Sequence, residues 1–422
     1  MGFSFFLPIL VVGVGFYLLI RLRAFFVLHP FKTTHKLIDG LSDRDTRRSF
    51  SLALAGTLGV GNIFGVAAGI IIGGEGSVFW LFVSSIFASV IKYSEAVLSL
   101  DNLSTGGGGM HFVLLKTFSK NGKFFSPLYA IFCLALALFM GASMQSAAVM
   151  DVASSSTSIS PIIVIIIFVI LVAIGVVGNE RKIQNITEVV IPMTTIIYII
   201  MALCVIFYNI SSLGEVCLRI LKDAFCGEAV CGGTVSFLFS RAFTEGFARG
   251  ILSNEAGAGT SSMAHSLSHD RSAASAGLFG MCEVLFDTVV LCMLTAIAIL
   301  VAVDDPSAYH TPMSLVFAAF SLSLGKWSGG LLICCVFAFA YSTVICWYYY
   351  GISCYDFLFG GRLRVIYSLV FFIFVGVGAF IDNRLLLSAT DLLLLLMSLM
   401  TLSAVLKRAD RIVELTEKEK LL

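Results

Sequence analysis

Apolar residues along this chain gather in long runs, and the polar residues fall mostly in the short stretches between them. Runs long enough to cross roughly 30 Å of hydrocarbon as helices occupy residues 3–20, 49–73, 77–100, 124–150, 160–178, 186–208, 274–303, 329–350, 365–381 and 385–406. Residues 236–263 are less apolar, carrying Arg241, Glu245, Arg249 and Glu255 before the stretch S-N-E-A-G-A-G-T-S-S. We read them as an eleventh span, broken at Ala256–Gly259, because of how the positive charges then divide. With the N-terminus outside, 20 of the 27 Lys and Arg fall in cytoplasmic loops and tail, five fall outside, and Lys92 and Arg249 lie within spans. That division obeys the positive-inside rule, and removing the crossing spoils it. The run 312–325 is too short to cross easily and is expected to be an external or re-entrant helix. The tail from residue 407 reads as a solvated helix or a disordered segment.

One run is built to break. Ala55–Gly76 is apolar enough to span, yet Gly59 and Gly61 flank Val60 and precede the polar Asn62. Glycine costs about 1 kcal/mol against alanine inside a helix, so an unwound turn is predicted there, near mid-span. In hydrocarbon every freed N–H and C=O must find a partner, so irregular backbone persists only inside protein or along a ligand cavity. A glycine-lined packing face is the other explanation for such a run. The segment N-E-A-G-A-G at 254–259 is the counterpart in the second half. Counting from the second span, each broken segment opens a set of five, and an odd number makes the second set enter the membrane from the opposite side. This is an inverted repeat, 49–208 and 236–406, behind an extra N-terminal helix and loop at 1–48 and ahead of a tail at 407–422. Broken ends supply helix N-termini for a carboxylate and free carbonyls for a cation.

Composition narrows the class further. The chain is 58% hydrophobic and 13% charged, with mean hydropathy +0.99, which is a polytopic all-helical membrane protein forming one domain. Its net charge of +1 gives no reason to expect nucleic acid. Most of the eleven Cys sit in apolar runs as small hydrophobes, while Cys217, Cys226 and Cys231 share one loop, where a Cys226–Cys231 bridge is possible. The N-terminal run lacks a basic n-region and a small-residue cleavage site, and is read as a retained span. His265 and His269 are four apart in a predicted cytoplasmic loop but lack the Glu of a metalloprotease helix; there is no nucleophile elbow and no P-loop, so enzyme chemistry is not expected.

Ionisable residues inside spans are costly and usually functional. Lys92 and Glu95, at i and i+3, are expected to form a structural ion pair. Glu255 abuts the second break, either as a functional carboxylate or as a brace for the unwound backbone. Glu283 and Asp287, at i and i+4, repel as like charges, and either can serve proton coupling. Gln145 and Ser146 make a polar spot suited to an interhelical hydrogen bond. Ser342 and Thr343 are adjacent hydroxyls with Trp347 one turn after Thr343. Oxygen ligands suit a hard cation and an indole suits a small pocket wall, although such hydroxyls often bond back to their own helix.

In combination these stretches resemble the alanine or glycine:cation symporters, within the amino acid, polyamine and organocation transporter superfamily. The matching residues are G-V-G-F-Y-L-L-I-R-L-R at 13–23, A-G-T-L-G-V-G-N-I-F-G-V-A at 55–67 and K-Y-S-E-A-V-L at 92–98. They continue with R-G-I-L-S-N-E-A-G-A-G at 249–259, F-D-T at 286–288 and S-T-V-I-C-W-Y-Y-Y-G at 342–351. The chain departs from the family in G-G-G-G-M-H at 106–111 and in Glu283, where the family is typically small. The resemblance implies a leucine-transporter type 5+5 inverted repeat with one extra N-terminal helix, eleven transmembrane helices in all. It implies a substrate site formed by Thr57, Gly59, Gly61, Asn62, Gln145, Ala256, Gly257, Gly259, Thr343 and Trp347. It further implies a cation site of Gly59, Asn62, Ser342 and Thr343; Glu255, Glu283 and Asp287, from their place within spans, are coupling or structural carboxylates.

The expected activity is secondary active import of alanine or glycine with sodium, by alternating access in the plasma (inner) membrane, with the C-terminus cytoplasmic and no cofactor beyond the cotransported ion. Proton coupling on the same fold is the nearest alternative. An intramembrane enzyme using His111, His265 or His269 and a channel or amino acid sensor are more distant ones.

Overall fold

The computed structural model describes residues 6–28, 30–103, 107–156, 160–178, 180–225, 240–268 and 272–421, and every regular element among them is helical. Cys226, Cys231, His269 and Gly106 lie outside the described residues. The chain opens with α1 (Phe6–Arg21), α2 (Pro30–Ser42) and α3 (Arg44–Thr57). After a short break it resumes as a wide π turn, Gly61–Gly65, leading into α4 (Val66–Gly73), and α5 (Ser77–Leu103) follows. A short α6 (Met110–Thr117) leads to α7 (Gly122–Leu136), which passes through a π stretch, Ala137–Met144, into α8 (Gln145–Ser156). Then come α9 (Pro161–Val176), α10 (Glu180–Tyr208) and α11 (Leu213–Phe225).

The second half repeats the device. Helix α12 (Arg241–Asn254) stops at the second break, and α13 (Ser262–His265) continues beyond it. Helix α14 (Ala273–Val284) widens into a π stretch, Leu285–Cys292, before α15 (Met293–Ala302). The chain ends with α16 (Pro312–Leu324), α17 (Trp327–Phe359), α18 (Arg364–Gly378), α19 (Asn383–Lys407) and α20 (Ala409–Lys418). Among the described residues six continuous helices are long and apolar enough to cross a bilayer, and α3 with the Gly61–Gly73 arm, bent by 44°, makes a seventh. The apolar α1, α9, α16 and α18 are shorter. The lipid side is legible in the exposed residues: Ile162, Ile163, Ile166, Ile167, Ile170 and Ile174 form a stripe along α9, a large apolar face of the kind that soluble surfaces seldom carry.

Helix α5 sits at the centre. Of its apolar window 78% is inside the protein, against 39% for α10. Helices α12 and α14 lie against it through small residues, because hydrocarbon offers no hydrophobic drive between helices and close packing has to hold them. A Cβ on Gly246 of α12 would stand 2.4 Å from the Ser77 carbonyl oxygen, and one on Gly280 of α14 would stand 2.9 Å from the carbonyl of Lys92.

The tail differs from the expectation of a solvated or disordered segment. Helix α20 is amphipathic and docked: Ile412 and Thr416 are buried, and the Thr416 hydroxyl meets Tyr93 Oη of α5 at 2.8 Å. Arg411 grips Asp101 with both arms, at 3.2 and 2.7 Å, and Lys36 of α2 holds Glu419 at 2.6 Å. One apolar stripe on a short charged helix suffices for docking when a groove of matching charges awaits it, and that groove is assembled from distant parts of the chain.

Two outcomes follow from this packing. Gly246→Val forces α12 off a backbone oxygen that cannot yield, and is expected to lower stability by about 1–3 kcal/mol, read as thermal unfolding in detergent. On the tail, hydrogen bonds from Lys418 and Arg411 push the exposed Glu414 carboxyl down to about 2, and Lys36 lowers that of Glu419. The partners of Glu414 lie on α20 itself, whereas the Glu419–Lys36 bond ties the tail to α2, so the depressed Glu419 carboxyl favours the docked form above its ordinary value near 4.3 and loses that effect as pH falls through the lowered one. Proteolysis of the tail is therefore expected to stay slow down to about pH 4 and to accelerate only below it.

Candidate functional site

The first break forms where the sequence weakens the helix. Asp43 caps α3 by accepting from the Thr46 amide at 2.7 Å, and the helix ends at Thr57, with Gly59 N bonded to Thr57 O. Gly59 is required by its neighbours: a Cβ there would lie 2.8 Å from Thr343 Oγ1 and 3.2 Å from Gln145 Oε1, whereas a Cβ on Gly61 would meet nothing within 4 Å. The carbonyls at the end of a helix lack intrahelical partners, and α17 supplies them. Trp347 Nε1 donates to Gly56 O at 3.3 Å, and Thr343 Oγ1 donates to Leu58 O at 3.4 Å. Gln145 Oε1 accepts from Val60 N at 3.1 Å. Trp347 is fully buried and lies on Gly141, where a Cβ would stand 2.3 Å from the Trp347 Cβ.

The second break is held with equal care. Ser240 caps α12, which ends at Asn254; Glu255, Gly257 and Gly259 then take positive φ of 54°, 93° and 74°. Gly257 N donates to Glu95 Oε1 at 2.8 Å, Ala256 N donates to Asn254 Oδ1 at 3.0 Å, and Ala258 O accepts from Tyr129 Oη at 2.7 Å. Across the turn, Thr260 Oγ1 donates to Glu255 Oε2 at 2.5 Å.

Asp287 joins the two breaks. Its Oδ1 accepts from Asn62 Nδ2 at 2.6 Å, and its Oδ2 accepts from Ser253 Oγ at 2.7 Å and from Thr288 Oγ1 at 2.9 Å. Asn254 Nδ2 in turn donates to Thr288 Oγ1 at 3.1 Å. All five side chains are buried, and Asn62 Oδ1 has no hydrogen-bond partner. The result is a buried set of oxygens around one carboxylate, to which no cationic side chain among the described residues is bonded. The residues read from sequence therefore divide. Gly59, Asn62, Gln145, Thr343 and Trp347 gather at the first break, with Gly61 beside them, while Ala256, Gly257 and Gly259 form the second. Thr57 and Ser342 turn their hydroxyls to their own helices, Thr57 to Leu54 O at 3.3 Å and Ser342 to Ala338 O at 2.9 Å. A groove of about 460 Å³ runs along α3 from Arg47 and Glu188 to Leu58 and Phe286, beside the first break.

Three expectations are corrected. Lys92 does not pair with Glu95; its ammonium lies 3.4 Å from Glu283 Oε2 and 2.9 Å from Ser261 Oγ, while Glu95 is taken by the freed Gly257 amide. Glu283 and Asp287 do not confront each other, because the chain widens into a π stretch at Leu285 and each carboxylate has its own partners. His265 is not in a solvated loop: it is buried in α13 and bonded to Glu283 Oε1. The sequence reading quoted Ser253, Asn254 and Thr288 within the stretches 249–259 and 286–288 without giving them a role, although polar residues at mid-span could have marked them; it passed over Tyr129, which carries no such signal.

Two changes test this geometry. Trp347→Ala removes both the indole wall and the donor to Gly56, and is expected to weaken ligand binding about tenfold or more. Gly59→Ala drives a methyl into Thr343 and Gln145 and is expected to abolish binding in protein that still folds. Isothermal titration or ligand-induced thermal stabilisation reads both.

Comparison with known proteins agrees with the architecture. The sodium/alanine symporter AgcS of Methanococcus maripaludis is 30% identical over 88% of this chain and 84% of its own length. The probable sodium/glutamine symporter GlnT of Bacillus subtilis is 27% identical over 94% and 84%. A crystal structure of a mutant manganese transporter from Eremococcus coleocola superposes with a TM-score of 0.55 at 15% identity, covering 87% of this chain and 78% of that one. At that identity the likeness concerns the fold alone, which is of the leucine-transporter type. The match to the sodium:alanine symporter family runs over residues 1–418, so this chain is a multi-pass membrane protein and a transporter belonging to the sodium:alanine symporter family.

Proposed function

We propose that this chain imports a small neutral amino acid, alanine or glycine, together with sodium, by alternating access across the plasma membrane. The N-terminus lies outside and the C-terminus in the cytoplasm, and two five-segment repeats, 49–208 and 236–406, follow one extra helix. The observation that carries the reading is the convergence of both broken helices on Asp287, beside Gln145, Thr343 and Trp347.

Each part of that arrangement suits one part of the cargo. The amides and carbonyls around Gly59–Asn62 and Ala256–Gly259 suit the carboxylate and ammonium ends of a zwitterion. The indole of Trp347, set on Gly141, is the bulky wall that would limit the cargo to a short side chain. The oxygens of Asp287, Asn62, Ser253 and Thr288 suit a hard cation such as sodium, with Gly59 and Thr343 lining a second polar spot against the first break and Ser342 bonded back to its own helix. A cation beside Asp287 relieves a buried negative charge that is otherwise costly. Because Asp287 is bonded to both breaks, occupancy there is felt at both, and a cation and a zwitterion lower each other's electrostatic cost of binding. Glu255 serves as a brace for the second break through Thr260.

The deciding experiment is radiolabelled alanine uptake into proteoliposomes under an inward sodium gradient, compared with potassium at equal pH. Accumulation with sodium alone is expected; accumulation driven equally by a pH gradient without sodium overturns the coupling ion. Asp287→Asn is expected to raise the sodium concentration for half-maximal uptake about tenfold or more, and an unchanged sodium requirement would remove Asp287 from the ion site.

A further inference from the structure

Behind the second break lies a charged group that does not face the proposed pocket. Lys92 of α5, His265 of α13 and Glu283 of α14 are all at most 1% exposed. Glu283 joins the other two, with Oε2 lying 3.4 Å from Lys92 Nζ and Oε1 bonded to His265 Nε2. Lys92 also donates to Ser261 Oγ at 2.9 Å, two residues past Gly259. Three residues along the same helix, Glu95 Oε1 receives the Gly257 amide at 2.8 Å. Helix α5 thus touches the break at two points, 257 and 261, and the second contact depends on where the ammonium is held.

The ammonium has competitors. Glu95 Oε2 and Glu255 Oε1 are buried and without hydrogen-bond partners, and both carboxyls act electrostatically on Lys92. A buried ion pair contributes little net stability, but removing one partner leaves an uncompensated charge, and such pairs are best attested as setters of registry. We propose that Glu283 and His265 are positioning residues of the substrate site. They hold Lys92 on Ser261 and away from Glu95 and Glu255, and so fix the arm leaving the second break and the backbone at 256–259. This rests on the reading of Ala256–Gly259 as substrate-facing backbone. With Glu283 neutralised, the ammonium turns to the bare oxygens of Glu95 and Glu255, Ser261 is released, and the broken turn shifts. His265→Asn acts in the same direction, more weakly, because it leaves the Glu283–Lys92 contact and removes only the bond that fixes the orientation of the carboxylate.

The test uses the full chain in lipid nanodiscs and proteoliposomes, comparing wild type, Glu283→Gln and the neutral pair Lys92→Gln with Glu283→Gln. Hydrogen exchange of the amides at 256–262 is read without any need for transport, and is expected to accelerate about tenfold or more in Glu283→Gln. Half-saturating alanine is expected to rise by a similar factor, about tenfold, while maximal uptake per folded carrier changes little. The neutral pair is expected to recover thermal stability, having no stranded charge, and yet to keep the fast exchange and weak affinity, having lost the ammonium on Ser261. Unchanged exchange at 256–262, or an affinity in Glu283→Gln equal to wild type in the folded fraction, overturns the proposal. A wild type that accumulates no amino acid refutes the symport reading instead, and the exchange data still decide whether the triad positions the break.

Discussion

A backbone amide or carbonyl freed inside hydrocarbon has no water to turn to, and the interior of this protein is arranged around that constraint. Breaking two helices inside the protein releases groups that must each find a partner, and the partners come from elsewhere in the chain. Trp347 and Thr343 of α17 serve carbonyls of the first break, Gln145 serves an amide, Glu95 of α5 takes the Gly257 amide and Tyr129 of α7 serves Ala258. The two breaks are thereby tied to the long helices around them. A change in either break has to move several of these contacts together.

The wide π turns extend the same idea. One carries Asn62, one ends immediately before Gln145 and one carries Asp287. A π turn offsets the side chains that follow from an ordinary helical face and leaves backbone groups loosely paired, which is why such turns recur at functional sites. Here the turns carry or adjoin an asparagine amide, a glutamine and a carboxylate; the amide is bonded to the carboxylate and the glutamine to Val60, two residues before Asn62. Asp287 takes bonds from both broken segments, so the two halves of the proposed inverted repeat meet at a single charge.

Charge placement in the rest of the core follows from desolvation. Lys92 is matched by Glu283, which also accepts His265, and Arg249 lies 3.2 Å from Glu245. Outside the membrane the charges act as fasteners: Arg411 on Asp101 and Lys36 on Glu419 lay the C-terminal helix over the end of α5. The helix that braces the second break is thus itself capped by the end of the chain.

Much of this was written in the sequence. Long apolar runs and few charges dictate a polytopic helical membrane protein, because hydrocarbon admits little else. Gly59 and Gly61 around Val60, and the run N-E-A-G-A-G, dictate where the helices break, since glycine is the residue that least resists unwinding and that tolerates positive φ. Gln145, Thr343 and Trp347 were visible as polar or bulky residues set in apolar spans. What only the tertiary structure decided is who pairs with whom. Lys92 and Glu95 stand one turn apart and sequence spacing pairs them, yet the freed Gly257 amide claims Glu95 and a carboxylate 191 residues away claims Lys92. Ser342 and Thr343 are adjacent and look equivalent, but only Thr343 faces the first break, because neighbours on a helix point about 100° apart. The α20 stripe looked like a solvated tail because its groove exists only after α1, α2 and α5 have packed. Periodicity and composition fix what each segment is able to do alone; partner choice depends on desolvation and on distances between segments, and those quantities come into existence only when the chain has folded.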